Sequence, residues 1–169
     1  THLVTSHHLN RRRGGGGETP FDASDYEDLE AFYARRPELG PTRLQALPAR
    51  AGALGLGALH VKDESTRFGL NAFKSLGVRY AVDHLQREGL LAGAATLVCA
   101  SAGNHGRAVA RAARERGLAA RVYMSSAASE GVKRNIASEG ADVIVVDGTY
   151  DEAVRMMARD AEANGWTIV

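Results

Sequence analysis

Three lysines stand against eighteen arginines in this chain, so each primary amine can be weighed by its neighbours. Lys62 is followed by Asp63 and Glu64, which hold an ammonium in its charged form. Lys133 sits beside Arg134 on what reads as a solvated helix face. Lys74 closes the stretch Lys62–Lys74, KDESTRFGLNAFK, with no acid within several residues. Asn71 reads as a helix N-cap, which puts Lys74 in the first helical turn. There the positive end of the helix dipole disfavours an ammonium, and the aromatic Phe73 adds desolvation. Both effects favour the neutral amine, the form that condenses with an aldehyde. Local features alone fit a lysine on an ordinary helix better than a reactive one.

A second stretch changes that balance. Residues 96–106 read TLVCASAGNHG: an apolar β-rich run, then Ser101-Ala102-Gly103-Asn104-His105-Gly106, then an alanine-rich helical pattern. A strand, a turn of small residues and a helix N-terminus make an anion site, because free N–H groups and the helix dipole both favour negative charge. The glycines let a ligand approach the backbone. Many strand-to-helix turns look like this one, so the loop by itself is a weak signal.

Taken together, FGLNAFK and SAGNHG are specific. They resemble the lysine and Ser-x-Gly-Asn-His motifs of the fold-type II pyridoxal-phosphate enzymes, the tryptophan synthase β or threonine dehydratase superfamily. The longer run KDESTRFGLNAFKSLG is most similar to the diaminopropionate ammonia-lyases within it. Pro41-Thr42-Arg43-Leu44 is similar to the family's upstream Pro-Thr-Pro-Leu segment, with Arg43 replacing the second proline. The resemblance covers roughly residues 24–169.

The elements that must position these motifs follow from periodicity. Residues 1–23 read as a disordered arm, with Gly14–Gly17 flanked by polar residues. The run Arg11-Arg12-Arg13 and the pair His7-His8 lie in that arm, and the histidines lack further metal ligands. Ser24 and Glu27 read as a capping box opening a helix with Tyr26, Leu29, Phe32 and Tyr33 on its apolar stripe. Pro37 and Gly40-Pro41 end it. A second helical pattern runs near Leu44–Leu54, and a strand spans Ala58–Lys62, where His60 reads as packed or on the surface. The helix from Ala72 to about Glu88 carries Leu76, Tyr80, Ala81 and Leu85 on one side. Beyond Gly93 the pattern is regular. Strands at Thr96–Ala100, Arg121–Met124, Asp142–Val146 and Trp166–Val169 alternate with helices at Asn104–Arg116, Ser129–Glu139 and Tyr150–Ala163. Thr149 and Glu152 make a capping box on the last helix. Apolar strands separated by single helices predict an α/β fold, an open parallel sheet with helices on both faces and right-handed crossovers.

Composition excludes other classes. The chain has 169 residues, is 44% apolar and 24% charged, and carries a net charge of +1, which gives no global pull toward nucleic acid or a membrane. The longest uncharged run, Gly89 to Asn104, is too short and too polar to span a bilayer. Glycines and acids follow the arginine run, so no secretory signal is read there. The single Cys99 falls in a buried strand, which favours packing and fits a reducing, cytoplasmic setting. The abundance of Ala, Gly and Arg reads as compositional bias, so arginines get little functional weight. The chain starts at Thr1 rather than Met, which reads as processing or excision, and stops at the last residue of a strand; with the resemblance this implies the N-terminal portion of a longer enzyme, or a half that needs a partner.

The resemblance implies pyridoxal 5′-phosphate as cofactor, a small amino acid as substrate and a homodimer. It implies a partial fold: residues 24–74 begin the cofactor domain, residues 75–169 form the small domain, and the rest of the cofactor domain, with its phosphate loop, comes later. Lys74 would hold the cofactor aldehyde and then take the substrate Cα proton. Ser101, Ala102, Gly103, Asn104 and His105 would bind the substrate carboxylate. Asn104 would face the ring 3′-hydroxyl and Phe73 the ring face. The residues themselves leave alternatives: Asn104 fits a helix N-cap, His105 a surface first-turn residue and Phe73 core filler. Ala102 stands where the ammonia-lyases usually carry an aspartate associated with proton removal from the D-isomer. Ser-Ala-Gly-Asn-His is ordinary among serine and threonine dehydratases, so a dehydratase or β-replacement synthase stays open. Outside enzymes, the same sheet could serve a plain nucleotide-binding or interaction module.

Overall fold

Leu97, Val98 and Cys99 are each almost wholly buried, but they point alternately into two different clusters, as a period of two requires. Their strand, β3 (Thr96–Ala100), is an inner strand of a four-stranded sheet. The computed structural model describes residues 23–91 and 95–169. The arm expected over residues 1–23 therefore lies outside the described residues except for Ala23, as does Gly93.

The described residues fall into two compact units, 23–36 and 37–169. In the first, α1 (Ala23–Ala34) buries Phe32, whose ring meets Tyr33 edge-on at 5.0 Å and lies under the Arg36 guanidinium at 3.9 Å. The helix starts one residue before Ser24, so the expected Ser24–Glu27 capping box is corrected: Ser24 is already helical.

The second unit opens with a ribbon. β1 (Leu44–Ala46) pairs antiparallel with β2 (His60–Lys62), with α2 (Pro48–Ala53) between them. The helix expected near Leu44–Leu54 is thus half right. Pro48 at the helix start sets its N-terminal boundary. Pairing with Lys62, Val61 and His60 draws Leu44–Ala46 into a strand instead.

After α3 (Lys74–Arg87) come β3, α4 (Asn104–Arg114), β4 (Ala119–Ser125), α5 (Glu130–Ala137), β5 (Asp142–Val146), α6 (Tyr150–Asn164) and β6 (Thr167–Ile168). The sheet order is β5-β4-β3-β6, all parallel. One face buries Leu97, Cys99, Val122 and Met124 against Val78 and Val82 of α3, the alanines and Val109 of α4, and Ile136 of α5. The other buries Val98, Tyr123 and Val146 against Ala153, Met157 and Ala161 of α6. From β3 to β5 the chain steps one way across the sheet, with α4 and α5 on one face. The step to β6 reverses direction and α6 takes the opposite face, so all three crossovers share one hand, as expected for parallel strands. The buried side of α3 is Ser75, Val78 and Val82, whereas the expected stripe of Leu76, Tyr80, Ala81 and Leu85 is only half-buried. The capping box on α6 is as read: Thr149 Oγ1 accepts from Glu152 N–H, and the Glu152 carboxylate accepts from Thr149 N–H at 2.6 Å. No helix among the described residues is long and apolar enough to cross a membrane.

Candidate active site

The order of the sheet picks out one place for a ligand. β4 and β6 flank β3, and the helices that lead to them lie on opposite faces. Loops diverge at such a switch point, leaving a crevice beyond the carboxyl ends of the strands. The loop that leaves β3 there is Ser101–Gly103. Ser101 is anchored by its N–H to Tyr123 O at 2.9 Å, and Gly103 N–H donates to Ser101 Oγ at 3.2 Å. Gly103, not Asn104, is the N-cap of α4, and no side chain caps the helix. Asn104 is its first helical residue, so the N-cap alternative for Asn104 is corrected. The first-turn N–H groups of α4 therefore point toward an exposed mouth formed by Ala102, Gly103 and Asn104.

The two loop glycines differ. Open space surrounds Gly103, which leaves its backbone accessible. At Gly106 a Cβ would lie 2.8 Å from Ser101 O and 2.9 Å from a Val122 methyl, so only glycine lets the first turn of α4 sit on β4. His105 is half-buried, and its Nε2 lies 3.0 Å from Val169 O, joining α4 to the end of the chain beside β6. Cys99 is buried beneath the loop, and burial pushes its thiol up to about 12, which suits packing and not reactivity.

Lys74 is the first residue of α3, one position inside the helix, with no acid in the first turn. Asn71 is not the N-cap: it sits in the left-handed region at φ 57°, and Phe73 occupies the cap. Asparagine tolerates that region better than most residues, so it serves the turn and not the helix end. Phe73 is 59% exposed and Lys74 is also exposed, with Nζ 5.3 Å from the Phe73 ring centre. Phe73 is therefore not core filler.

The approach to Lys74 is bent and held. Phe68, Gly69 and Asn71 all have positive φ, and for Phe68 that is an uncommon conformation. Guanidinium groups of Arg67 and Arg79 lie 5.3 and 5.1 Å from the Phe68 ring centre. Arg67, only 5% exposed, pairs with Glu64 and also donates to Gly40 O at 3.1 Å and Thr42 Oγ1 at 3.2 Å. Thr42 Oγ1 donates in turn to Glu64. This network clamps the Pro41-Thr42-Arg43 segment to the loop that leads to Lys74. Among the described residues Lys62 makes no direct bond to an acid: it donates to Thr42 O at 2.6 Å, while Asp63 bonds Ser65 and Glu64 bonds Arg67. Its charge still helps to lower the Glu64 carboxyl, so that neighbouring acid acts on Lys62 through space.

From the other side, α4 reaches the same loop. Arg107 donates to Leu70 O at 3.2 Å and Arg111 to Phe68 O at 3.5 Å. Both also bond Glu139, as does Arg114. These four side chains escaped sequence reasoning, which discounted arginines. A signal was present: Arg107, Arg111 and Arg114 share one face at helical spacing. Among the described residues no hydrogen bond joins Lys74 to Ser101–His105, but both segments hang from one frame, since α3 packs along α4. No cluster of metal ligands occurs among the described residues.

The Glu64 pair makes a measurable contribution. Hydrogen bonds from Arg67, then Thr42, pull its carboxyl from 4.5 down to about 2. A depressed folded value stabilises above the ordinary carboxylate range and is lost as pH falls toward 2. Between pH 5 and pH 2 the wild type is expected to lose up to about 3 kcal/mol more than Glu64→Gln in urea titrations. Parallel pH profiles for the two proteins would contradict this.

Known proteins resemble this chain in sequence and fold. Residues 35–169 match the family described as pyridoxal-phosphate dependent enzyme. The diaminopropionate ammonia-lyase of Salmonella typhimurium is 37% identical over 99% of this chain and 47% of its own length. The crystal structure of the Escherichia coli diaminopropionate ammonia-lyase in apo form superposes with a TM-score of 0.82 at 37% identity, over 92% of this chain and 45% of that one. The same enzyme in complex with an aminoacrylate-PLP azomethine reaction intermediate gives 0.82 at 36% identity, over 92% and 43%. The chain thus spans somewhat under half the length of these relatives. The match over most of its length, on a sheet that carries the lysine and the glycine loop on one frame, means that the chain belongs to the pyridoxal-phosphate dependent enzyme family.

Proposed function

We propose that this chain is the N-terminal portion of a pyridoxal-phosphate-dependent lyase that eliminates ammonia from L-2,3-diaminopropionate to give pyruvate and ammonia. One observation carries the reading: an exposed lysine opens a helix beside an exposed aromatic, on a loop tied to the helix whose uncapped N-terminus lies at the sheet's switch point. These residues fit the cofactor, offering an amine for its aldehyde, a ring for its face and N–H donors for a carboxylate. On this reading residues 24–74 belong to the cofactor domain and 75–169 form the small domain. The complete enzyme is a cytoplasmic homodimer, for which the support is family resemblance and the single reduced, buried Cys99.

Bound pyridoxal phosphate supplies a ring that accepts the electron pair left on the substrate Cα. Lys74 Nζ would hold the cofactor's aldehyde group, and the same amine would take a proton from the substrate Cα. Ser101 and the first-turn N–H groups of Asn104 and His105 would hold the substrate carboxylate at the start of α4, with Ala102 and Gly103 forming the loop beside it and the His105 side chain bracing it through Val169 O. Asn104 would hold the cofactor ring at its hydroxyl and Phe73 would lie against the ring.

Borohydride reduction of the full-length protein followed by peptide mass spectrometry tests this. The pyridoxyl label is expected on Lys74, unchanged in Lys62→Ala; a label elsewhere, or none, ends the proposal. Ala102 offers no group that could take a proton from the opposite face of Cα. Turnover of D-diaminopropionate is therefore expected at about a hundredth of the L-isomer rate or less, from the usual worth of a general base. Equal rates would refute that role for residue 102. The same Ala102 favours a second reading, a serine or threonine dehydratase, which would turn over L-serine or L-threonine faster than L-diaminopropionate.

A further inference from the structure

Arg107 joins the two halves of the candidate site and belongs to neither. It lies one turn into α4, whose N-terminus starts at Gly103. Its Nη1 donates to Leu70 O at 3.2 Å, four residues before Lys74, and its Nη2 meets Glu139 Oε1 at 3.1 Å. Its Nε is buried with no partner among the described residues. A guanidinium free to turn would satisfy that nitrogen, so the side chain is held by its other two contacts at a cost. Leu70 is 2% exposed and lies between Gly69 and Asn71, both left-handed, so its carbonyl is fixed by a backbone that departs from ordinary geometry. Such a backbone persists only when its surroundings over-determine it.

We infer that Arg107 is a positioning residue for Lys74: by tying Leu70 O to α4 it sets where the amine stands relative to the Ser101–His105 loop. The inference rests on the proposed role of Lys74. Arg111 assists through Phe68 O, at the longer distance of 3.5 Å. Arg114 offers the internal comparison. It meets the same Glu139, at 3.3 Å, but its other bond goes to Ser138 O and not to the lysine loop. A role confined to the pairing with Glu139 would leave the lysine loop unaffected by either variant.

Arg107→Lys keeps a cation near Glu139 but cannot span both the carboxylate and Leu70 O. The first readout is amide hydrogen exchange in the full-length protein without cofactor. The amides of Leu70 and Asn71 both donate to Arg67 O, so the loop carries protected sites. Exchange at these sites is expected to speed up about tenfold in Arg107→Lys and to stay unchanged in Arg114→Lys. The second readout is steady-state kinetics with cofactor bound: kcat falls about tenfold in Arg107→Lys with KM within about twofold, as misplacement of a catalytic group requires. Loop exchange that is unaltered, or altered equally in the Arg114 variant, overturns the inference. So does an unchanged kcat in a protein whose Lys74 carries the pyridoxyl label. Absence of that label from the wild type would instead defeat the proposed function, and the exchange data would still decide whether Arg107 holds the loop.

Discussion

Lys74→Ala in the full-length protein is expected to lower kcat for L-diaminopropionate by about a thousandfold or more, since it removes both the covalent tether and the general base. The three lysines differ in what their amines already do. Lys62 Nζ is committed to Thr42 O at 2.6 Å, and Lys133 Nζ to Glu130 Oε1 at 2.7 Å. Lys74 Nζ has only the face of Phe73 beside it among the described residues. An exposed amine with no hydrogen-bond or carboxylate partner among the described residues is the one sterically free to meet a carbonyl. Lys62→Ala and Lys133→Ala are expected to keep kcat within about twofold, as surface changes away from the chemistry do. Lys74→Arg is expected to be as inactive as Lys74→Ala, because a guanidinium stays protonated and cannot condense. Activity surviving in Lys74→Ala would move the chemistry to another residue and remove the reason for the loop's geometry.

How far sequence reaches depends on how local the cause is. β3 and β5 have the bounds read from the chain, because apolar runs between small or turn-forming residues are self-contained signals. The box at Thr149 and Glu152 was legible for the same reason: both partners lie within one turn. The two chemical motifs were legible as residue types, though their geometry was not. Asn71 looks like a cap because asparagine caps helices, yet asparagine also tolerates positive φ, and the contacts of Phe68 and Leu70 with distant arginines decide between the two. Leu44–Ala46 became strand through pairing with residues 60–62, which no local window contains. The arginine frame was hidden most deeply. Arg67 answers to Gly40 and Thr42, and Arg107 to Leu70 and Glu139. These partners are far apart in the chain, and a composition rich in arginine masks the few that are committed.

Glu139→Gln is expected to destabilise the protein by about 2–4 kcal/mol, well beyond any single arginine replacement in the same cluster. The carboxylate is 5% exposed and meets Arg111 Nε at 2.6 Å, Arg107 Nη2 at 3.1 Å and Arg114 Nη2 at 3.3 Å. Burial pushes its carboxyl up, but the bonds from Arg111 and Arg107 outweigh burial and hold it below the ordinary value. The asymmetry follows from counting charges. Removing one arginine leaves two to neutralise a single carboxylate, and Arg114 is half exposed, so Arg114→Ala is expected to cost about 1 kcal/mol or less. Removing the carboxylate leaves three guanidiniums facing one another with only the more distant Glu115 acting on Arg111, and two of the three are about three-quarters buried. The amide of glutamine can accept from one arginine but cannot offset the repulsion. Urea denaturation at neutral pH should show the midpoint falling with an unchanged m-value. The difference between Glu139→Gln and wild type should shrink as pH drops below the ordinary carboxylate range, because the wild-type group then becomes neutral too. A midpoint that matches wild type would mean that packing along α4, and not this charge, holds the arginines to the lysine loop.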